Sequence, residues 1–311
     1  MAKQTFKVTE EDGIVRVDKH LANLFPEYSR SALAKLFTLK LIKLDGQPIQ
    51  PGHKLRPGTE VEYDLGPLQE KPEVIDLPII YEDSDVVVVN KPSGIISHAR
   101  GKFWQEASVA SFIRHHVTKN LPTQKTADTI FTTDESDSGQ AIRAGIVHRL
   151  DRATSGVMIC AKNSQTLSFL QKQFSAREVE KTYIAVVKGA PKLDSAIIDA
   201  PIARNTKDPK RFMVSATGKS SQTKYSIIDQ TNGCTTLQLT PRTGRTHQLR
   251  VHLQYINLPI VGDDLYGGEA YERLLLHAHQ LTITLPDGNK RTFTAPIPEL
   301  FSQFQKDAQA S

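Results

Sequence analysis

Residues 66–78, GPLQEKPEVIDLP, carry three prolines and no sustained apolar pattern. Proline removes a backbone donor and disfavours helical geometry in the residue before it, so regular helix or ladder strand does not run through such a segment. A chain of 311 residues interrupted there must build two cores. The expected division is a small module over residues 14–65, a linker over 66–79 and a larger domain over 80–311.

Within the small module, residues 17–25 and 29–38 read as two short helices separated by Pro26. Ser29 is placed to cap the second, and Leu33, Leu36 and Phe37 form its apolar stripe. Asp45-Gly46 is a hairpin signal, and RPGTEVEYDL is a Pro-Gly turn running into an alternating strand. Two helices on a hairpin make a small α/β unit. Charge concentrates here. Between residues 16 and 56, eight basic side chains (Arg16, Lys19, Arg30, Lys35, Lys40, Lys43, Lys54, Arg56) face three acidic ones, an excess of +5 that equals the net charge of the whole chain. Such a surface suits a polyanion.

Beyond the linker, strand-like runs at 86–90, 146–150, 157–161, 182–188, 224–228, 235–240 and 281–285 outnumber helices. Residues 164–176 read as an amphipathic helix capped by Asn163, with Leu167, Leu170 and Phe174 on one face. The pattern predicts an α+β domain on a mixed, largely antiparallel sheet. Residues 118–143 are polar and read as a surface loop, and their acidic group Asp134, Glu135 and Asp137 lacks the spacing of a calcium loop.

Several classes are disfavoured. Cys160 and Cys234 lie far apart among small or apolar residues, as reduced buried thiols do. The start MAKQTFKVTEEDG has no signal-peptide core, and the longest apolar runs are strand-length. A cytoplasmic monomer without a membrane segment is expected. His247 and His252 are five apart and His277 and His279 flank one residue, but neither HExxH nor paired cysteine ligands appear, so structural histidines are expected rather than a metal site.

Four segments could carry chemistry. Asp151 sits in HRLDRATSG, between two strand-like runs, where a carboxylate is anchored yet open to a ligand; alone, it could equally be a turn aspartate. In PRTGRTHQLRVH, Arg245 lies at a strand-to-helix turn, where helix polarity does not favour its charge unless an acid is near. Lys181 and Tyr183 alternate onto one face of EKTYIAVVKG, and NKPSGIISHA ends a strand in a Pro/Gly turn.

Taken in order, KPSGIISH, GIVHRLDRATSGVMICAK, EKTYIAVVKG, RTGRTHQLRVHLQYINLPIVGDDLYG and LLHAHQLT resemble the RluA family of pseudouridine synthases over roughly residues 80–300. The N-terminal module is similar to the small RNA-binding domain first described in ribosomal small-subunit protein four, with KLDG in place of a VNG-like turn. The resemblance implies an isomerase that detaches a uracil from its sugar, turns it and rejoins it through carbon 5. That reaction needs no cofactor and no metal. It implies Asp151 as the catalytic carboxylate, Tyr183 packed on the uracil, Arg245 as the counter-ion of Asp151, Arg149 filling the space the base vacates, and Lys181 in support. The partner is structured RNA, large-subunit ribosomal RNA before transfer RNA. Arg16, Lys19, Arg30, Lys35, Lys40 and Lys43 are the expected RNA contacts of the module, joined by the basic stretch 204–224. The rival from another class is a catalytically silent RNA-binding or ribosome-assembly factor on the same fold. The joint presence of Asp151, Tyr183 and Arg245 argues against it.

Overall fold

A computed structural model describes residues 4–69, 73–98, 106–119 and 145–307. The chain forms two compact units, the first spanning the N-terminus through Glu73. In it, helices Val17–Leu24 and Arg30–Thr38 lie where the apolar spacing puts them, and the Ser29 hydroxyl accepts from the Ala32 amide. Leu33, Leu36 and Phe37 are buried with Val17, Leu21, Ile42, Leu55 and Val61. Asp45 and Gly46 both adopt positive φ, 49° and 73°, as a tight hairpin turn requires, and join Ile42–Leu44 to Gln47–Pro48.

Two features extend this unit past the expected boundaries. Strand Gln4–Lys7 precedes residue 14 and pairs antiparallel with Glu60–Tyr63, with Phe6 and Val8 packing on the core. Residues Gly66–Gln69, read as linker, form a helical turn instead. Pro67 fits a first helical turn, where its missing N–H costs nothing, Asp64 accepts from the Gly66 amide, and Leu68 is buried.

The larger unit is built, among the described residues, on a nine-stranded sheet. Its order runs Ser195–Asp199, Gln222–Thr231, Cys234–Pro241, Glu180–Lys188, Leu276–Thr284, Ser155–Ala161, Val86–Lys91, Ile79–Glu82, with Lys290–Thr294 also pairing on Leu276–Thr284. Every pairing is antiparallel except Ser155–Ala161 on Leu276–Thr284, so the mixed, largely antiparallel α+β architecture is as expected. Val86 through Val89 and residues 155–161 are buried on both faces, which is why they read as continuous apolar runs without alternation. Helix Ser164–Ala176 starts at an Asn163 cap and buries Leu170. No helix among the described residues is long and apolar enough to cross a membrane.

Two local expectations change. Residues 146–150 form no strand; only Ile146 bridges to Cys160, and the loop satisfies its backbone through side chains instead. Gly145 enters this loop at φ +72°, and a Cβ there would strike the Ala161 carbonyl at 2.1 Å. The helix expected near Thr246 starts at Gln248, after His247 in left-handed geometry. Residues 118 and 119 finish a helix over Val109–Thr118, and the acidic group at 134–137 lies outside the described residues.

Candidate active site

Asp151 is clasped by the segment that follows strand Val86–Lys91. The Ser97 hydroxyl donates to the Leu150 carbonyl at 2.7 Å and accepts from the Leu150 amide at 3.0 Å. On the other side of Asp151, the Arg152 carbonyl accepts from the Gly94 amide at 2.8 Å and the Lys91 ammonium at 3.2 Å, while Ser93 donates to the Ala153 carbonyl at 2.7 Å. Lys91 is fully buried, and its Nζ also reaches the Pro92 and Ile95 carbonyls at 2.9 and 2.7 Å. Three acceptors match the three donors of an ammonium. Burial pushes the Lys91 pKa down to about 7, opposed by the nearby Asp151 charge and reinforced by Arg273 and Arg152. The KPSGIIS turn therefore fixes the backbone on both sides of one carboxylate.

The second wall of the site is cationic. Arg250 Nη1 lies 3.7 Å from Asp151 Oδ2, and His247 Nε2 lies 3.9 Å from Oδ1. Arg250 is itself held by a bidentate pair with buried Asp263, at 2.8 and 2.7 Å, and sits over the Tyr266 ring. Asp263 Oδ1 also accepts from the Leu265 and Tyr266 amides. Burial works against the Arg250 charge, but the Asp263 hydrogen bonds and the Asp263 and Asp151 charges outweigh it and raise its pKa. His247 bonds Tyr266 Oη through Nδ1, and burial lowers its pKa against the pull of Asp151. The Asp151 side chain keeps 18 % of its surface exposed. It faces a cavity of about 130 Å³ lined also by Arg149, Lys181, Tyr183, Arg245 and Leu276.

This arrangement corrects one expectation and adds residues to it. Arg245 lines the Asp151 cavity but is not its ion-pair partner: its Nε donates to the Ser220 carbonyl at 3.3 Å. Gln248 explains the aim, because its Oε1 takes the Arg245 amide and the Thr243 hydroxyl and fixes that turn, leaving Arg250 on the helix to approach Asp151. His247, expected to be structural, does bond Tyr266 but also faces the carboxylate. Arg250 and His247 recur three apart at a helix start, a spacing that places them on one face. Asp263 and Lys91 gave no separable signal.

Tyr183 is half-buried, and burial with the nearby Asp151 charge raises its pKa. Lys181 is half-buried with its pKa lowered by desolvation, and Arg149 is exposed at the cavity mouth. His252, by contrast, is a fully buried structural residue bonded to Thr223 and the Ala200 carbonyl, and His277 bonds Ser155 and Ala295. In the N-terminal unit Lys19, Arg30 and Lys40 are exposed, Lys35 and Lys43 half-buried, and Arg16 is forked onto Asp18 at 3.0 Å.

Residues 85–255 match the sequence profile of the family described as RNA pseudouridylate synthase. An uncharacterized RNA pseudouridine synthase of Aquifex aeolicus is 39 % identical over 268 residues, covering 84 % of this chain and 79 % of that protein. Ribosomal large subunit pseudouridine synthase D of Borreliella burgdorferi is 36 % identical over 308 residues, covering 95 % and 90 %. Among solved structures, the fold is shared with human RNA pseudouridylate synthase domain containing 4, at a TM-score of 0.57 and 23 % identity, over 75 % of this chain and 93 % of that one. With the profile spanning the Asp151 loop, the Tyr183 strand and the Arg250 helix together, the chain belongs to the RNA pseudouridylate synthase family of isomerases.

Proposed function

We propose that this enzyme isomerises uridines of large-subunit ribosomal RNA, with Asp151 acting at the sugar carbon that carries the base. The observation that carries the reading is a carboxylate fixed by hydrogen bonds to the backbone on both sides of it, backed by Arg250, and open toward a small cavity walled by Tyr183. The bond from base nitrogen 1 to carbon 1′ breaks, the base turns, carbon 5 bonds to carbon 1′, and the proton lost from carbon 5 is balanced by one gained at nitrogen 1. Asp151 either attacks carbon 1′ or takes a sugar proton; both routes need its anion close to carbon 1′. Entry of the base expels water, and the Arg250 guanidinium then offsets the lost solvation of the carboxylate.

The raised pKa of Tyr183 makes a phenolate costly, which favours packing of the neutral ring on the uracil. A uridine stacked in RNA must leave its helix to reach this cavity, at a cost of about a few kcal/mol, and Arg149, exposed on the cavity lining, would fill the gap. The target assignment follows the relative from Borreliella burgdorferi, similar over nearly its full length. The N-terminal unit, read as the ribosomal-protein-four-like RNA-binding domain, and the basic ribbon Ile202–Arg204 with Phe212–Val214 would hold the RNA backbone.

Pseudouridine mapping in total RNA from cells with and without this protein tests the reading. At least one large-subunit site is expected to disappear on deletion, to return with the wild-type gene and not with Asp151→Asn, whose activity falls by at least about 10³-fold. Loss of no site, or full restoration by Asp151→Asn, would refute it.

A further inference from the structure

A second cavity, of about 400 Å³, shares Arg149, Lys181, Tyr183, Thr243, Gly244 and Arg245 with the Asp151 cavity. Its size falls within the roughly 300–1,000 Å³ of ligand pockets. The remaining lining divides by chemistry. Phe174, Val147 and Val179 are apolar, and Arg177 and Arg242 add two exposed cations. His148 lies parallel to Phe174 at 4.7 Å and accepts from the Ile159 amide, so its ring is neutral, with a pKa pushed by burial and Lys181 to about 3.

None of the residues that line it is acidic, and none of Arg149, Arg177, Lys181, Arg242 and Arg245 has a carboxylate of a described residue within ion-pair distance. Among the described residues, the side chains of Arg242 and Arg245 make neutral contacts, to Gln222 Oε1 and the Ser220 carbonyl. Five cations around one concavity repel one another unless an anion joins them. The wall beside Asp151 has the opposite design, because its arginine is neutralised by Asp263.

We propose that the second cavity is a subsite for the nucleotide next to the reacting uridine in the chain, its phosphate on Arg177 and Arg242 and its base against the stacked His148–Phe174 pair. The inference rests on the uridine occupying the Asp151 cavity. A polymer bound there continues across the shared wall, and every step of its backbone brings one phosphate. Arginine forks suit that group, and an aromatic face accepts any base.

The test measures binding of the nucleoside uridine, the dinucleotide UpU and a UpU whose second sugar is abasic to the full-length protein. UpU is expected to bind about tenfold or more tightly than uridine, and the abasic dinucleotide to keep only the part of that gain that its phosphate supplies. In Arg177→Gln/Arg242→Gln most of the gain should vanish while uridine affinity stays, and Arg177→Lys/Arg242→Lys should restore part of it. Both side chains are exposed, so the fold is expected to survive, as circular dichroism would verify. A gain that persists in the double glutamine variant, or no gain in the wild type, overturns the subsite. The isomerase reading is judged separately, by whether Asp151→Asn abolishes pseudouridine formation.

Discussion

Asp151 is held by two walls of opposite construction. The wall from residues 91–97 fixes position: three side chains and one amide hold the peptide groups at 150, 152 and 153, with a single buried cation among them. The wall from residues 247–266 fixes charge: a guanidinium forked onto a buried aspartate, over an aromatic ring, approaches the carboxylate without hydrogen-bonding to it. Separate supports mean that one can be disturbed while the other is watched. Loss of either wall should cost stability, and loss of the charge wall should cost the reaction more.

The largest effect after loss of Asp151 itself is expected from Asp263→Asn. It strips the fork from an arginine only 9 % exposed, and breaking such a buried pair typically costs about 3–5 kcal/mol. Thermal unfolding should fall by several degrees. In the folded fraction, freed Arg250 should close on Asp151 and lower kcat by about 10²-fold with little change in KM. Unchanged kcat, measured by single-turnover kinetics, would show that Asp263 serves the fold alone.

Lys91→Met comes next and probes the position wall. The Met side chain fills similar volume but leaves the Pro92 and Ile95 carbonyls without the donor they share, at about 1–3 kcal/mol each. A lower midpoint in urea and a roughly tenfold lower kcat are expected together. A stable variant with full activity would show that Gly94, Ser93 and Ser97 hold the loop unaided.

The two walls should also separate with pH. Lys91 titrates near 7 in the folded protein against 10.5 for an ordinary lysine. Between those values the unfolded chain binds more protons, so stability should rise with pH across that window. Activity should fall across it, because a neutral amine has two protons for three carbonyls. On the acid side the signs agree. His247 has a lowered pKa and His277 titrates near 4, so as pH drops below 6.5 the unfolded chain takes up protons first and stability declines. An imidazolium at 247 would then pair with Asp151 and lower activity as well. Parallel pH profiles of kcat and of the urea midpoint check this; a midpoint that falls with kcat above pH 7 would sink the Lys91 half.

Much of this was legible in the sequence wherever one residue's own chemistry decides the structure. The Ser29 and Asn163 caps, the Asp45-Gly46 turn and the doubly buried strand at 86–89 are local. Part of the lining of the Asp151 cavity was named from the sequence too: Arg149, Lys181, Tyr183 and Arg245 all border it. Pairing was not. Whether Arg245 or Arg250 meets Asp151 depends on the Gln248 side chain fixing a turn, and no spacing rule encodes that aim. Lys91 was hidden for a related reason: a lysine reads as solvent-exposed until carbonyls of its own turn and of the distant Arg152 converge on it. The expected strand at 146–150 failed because Ile146 and Leu150 face a core while both peptide groups of Leu150 bond to the Ser97 hydroxyl rather than to a neighbouring strand.

Ser97→Ala should give the smallest effect and the sharpest test of the division. The substitution removes one hydroxyl that satisfies both polar groups of Leu150, and it leaves them buried, at about 1–3 kcal/mol. No charge near Asp151 changes, so any loss of rate reports position only. A two- to fivefold lower kcat is expected, with an unaltered salt dependence of RNA binding, because every cation of the two cavities stays in place. Combined with Lys91→Met, the loss in kcat should be less than the product of the two, since both hold the same short loop. Combined with Asp263→Asn it should be close to the product. A strong interaction between Ser97 and Asp263 would mean that the two walls act as one.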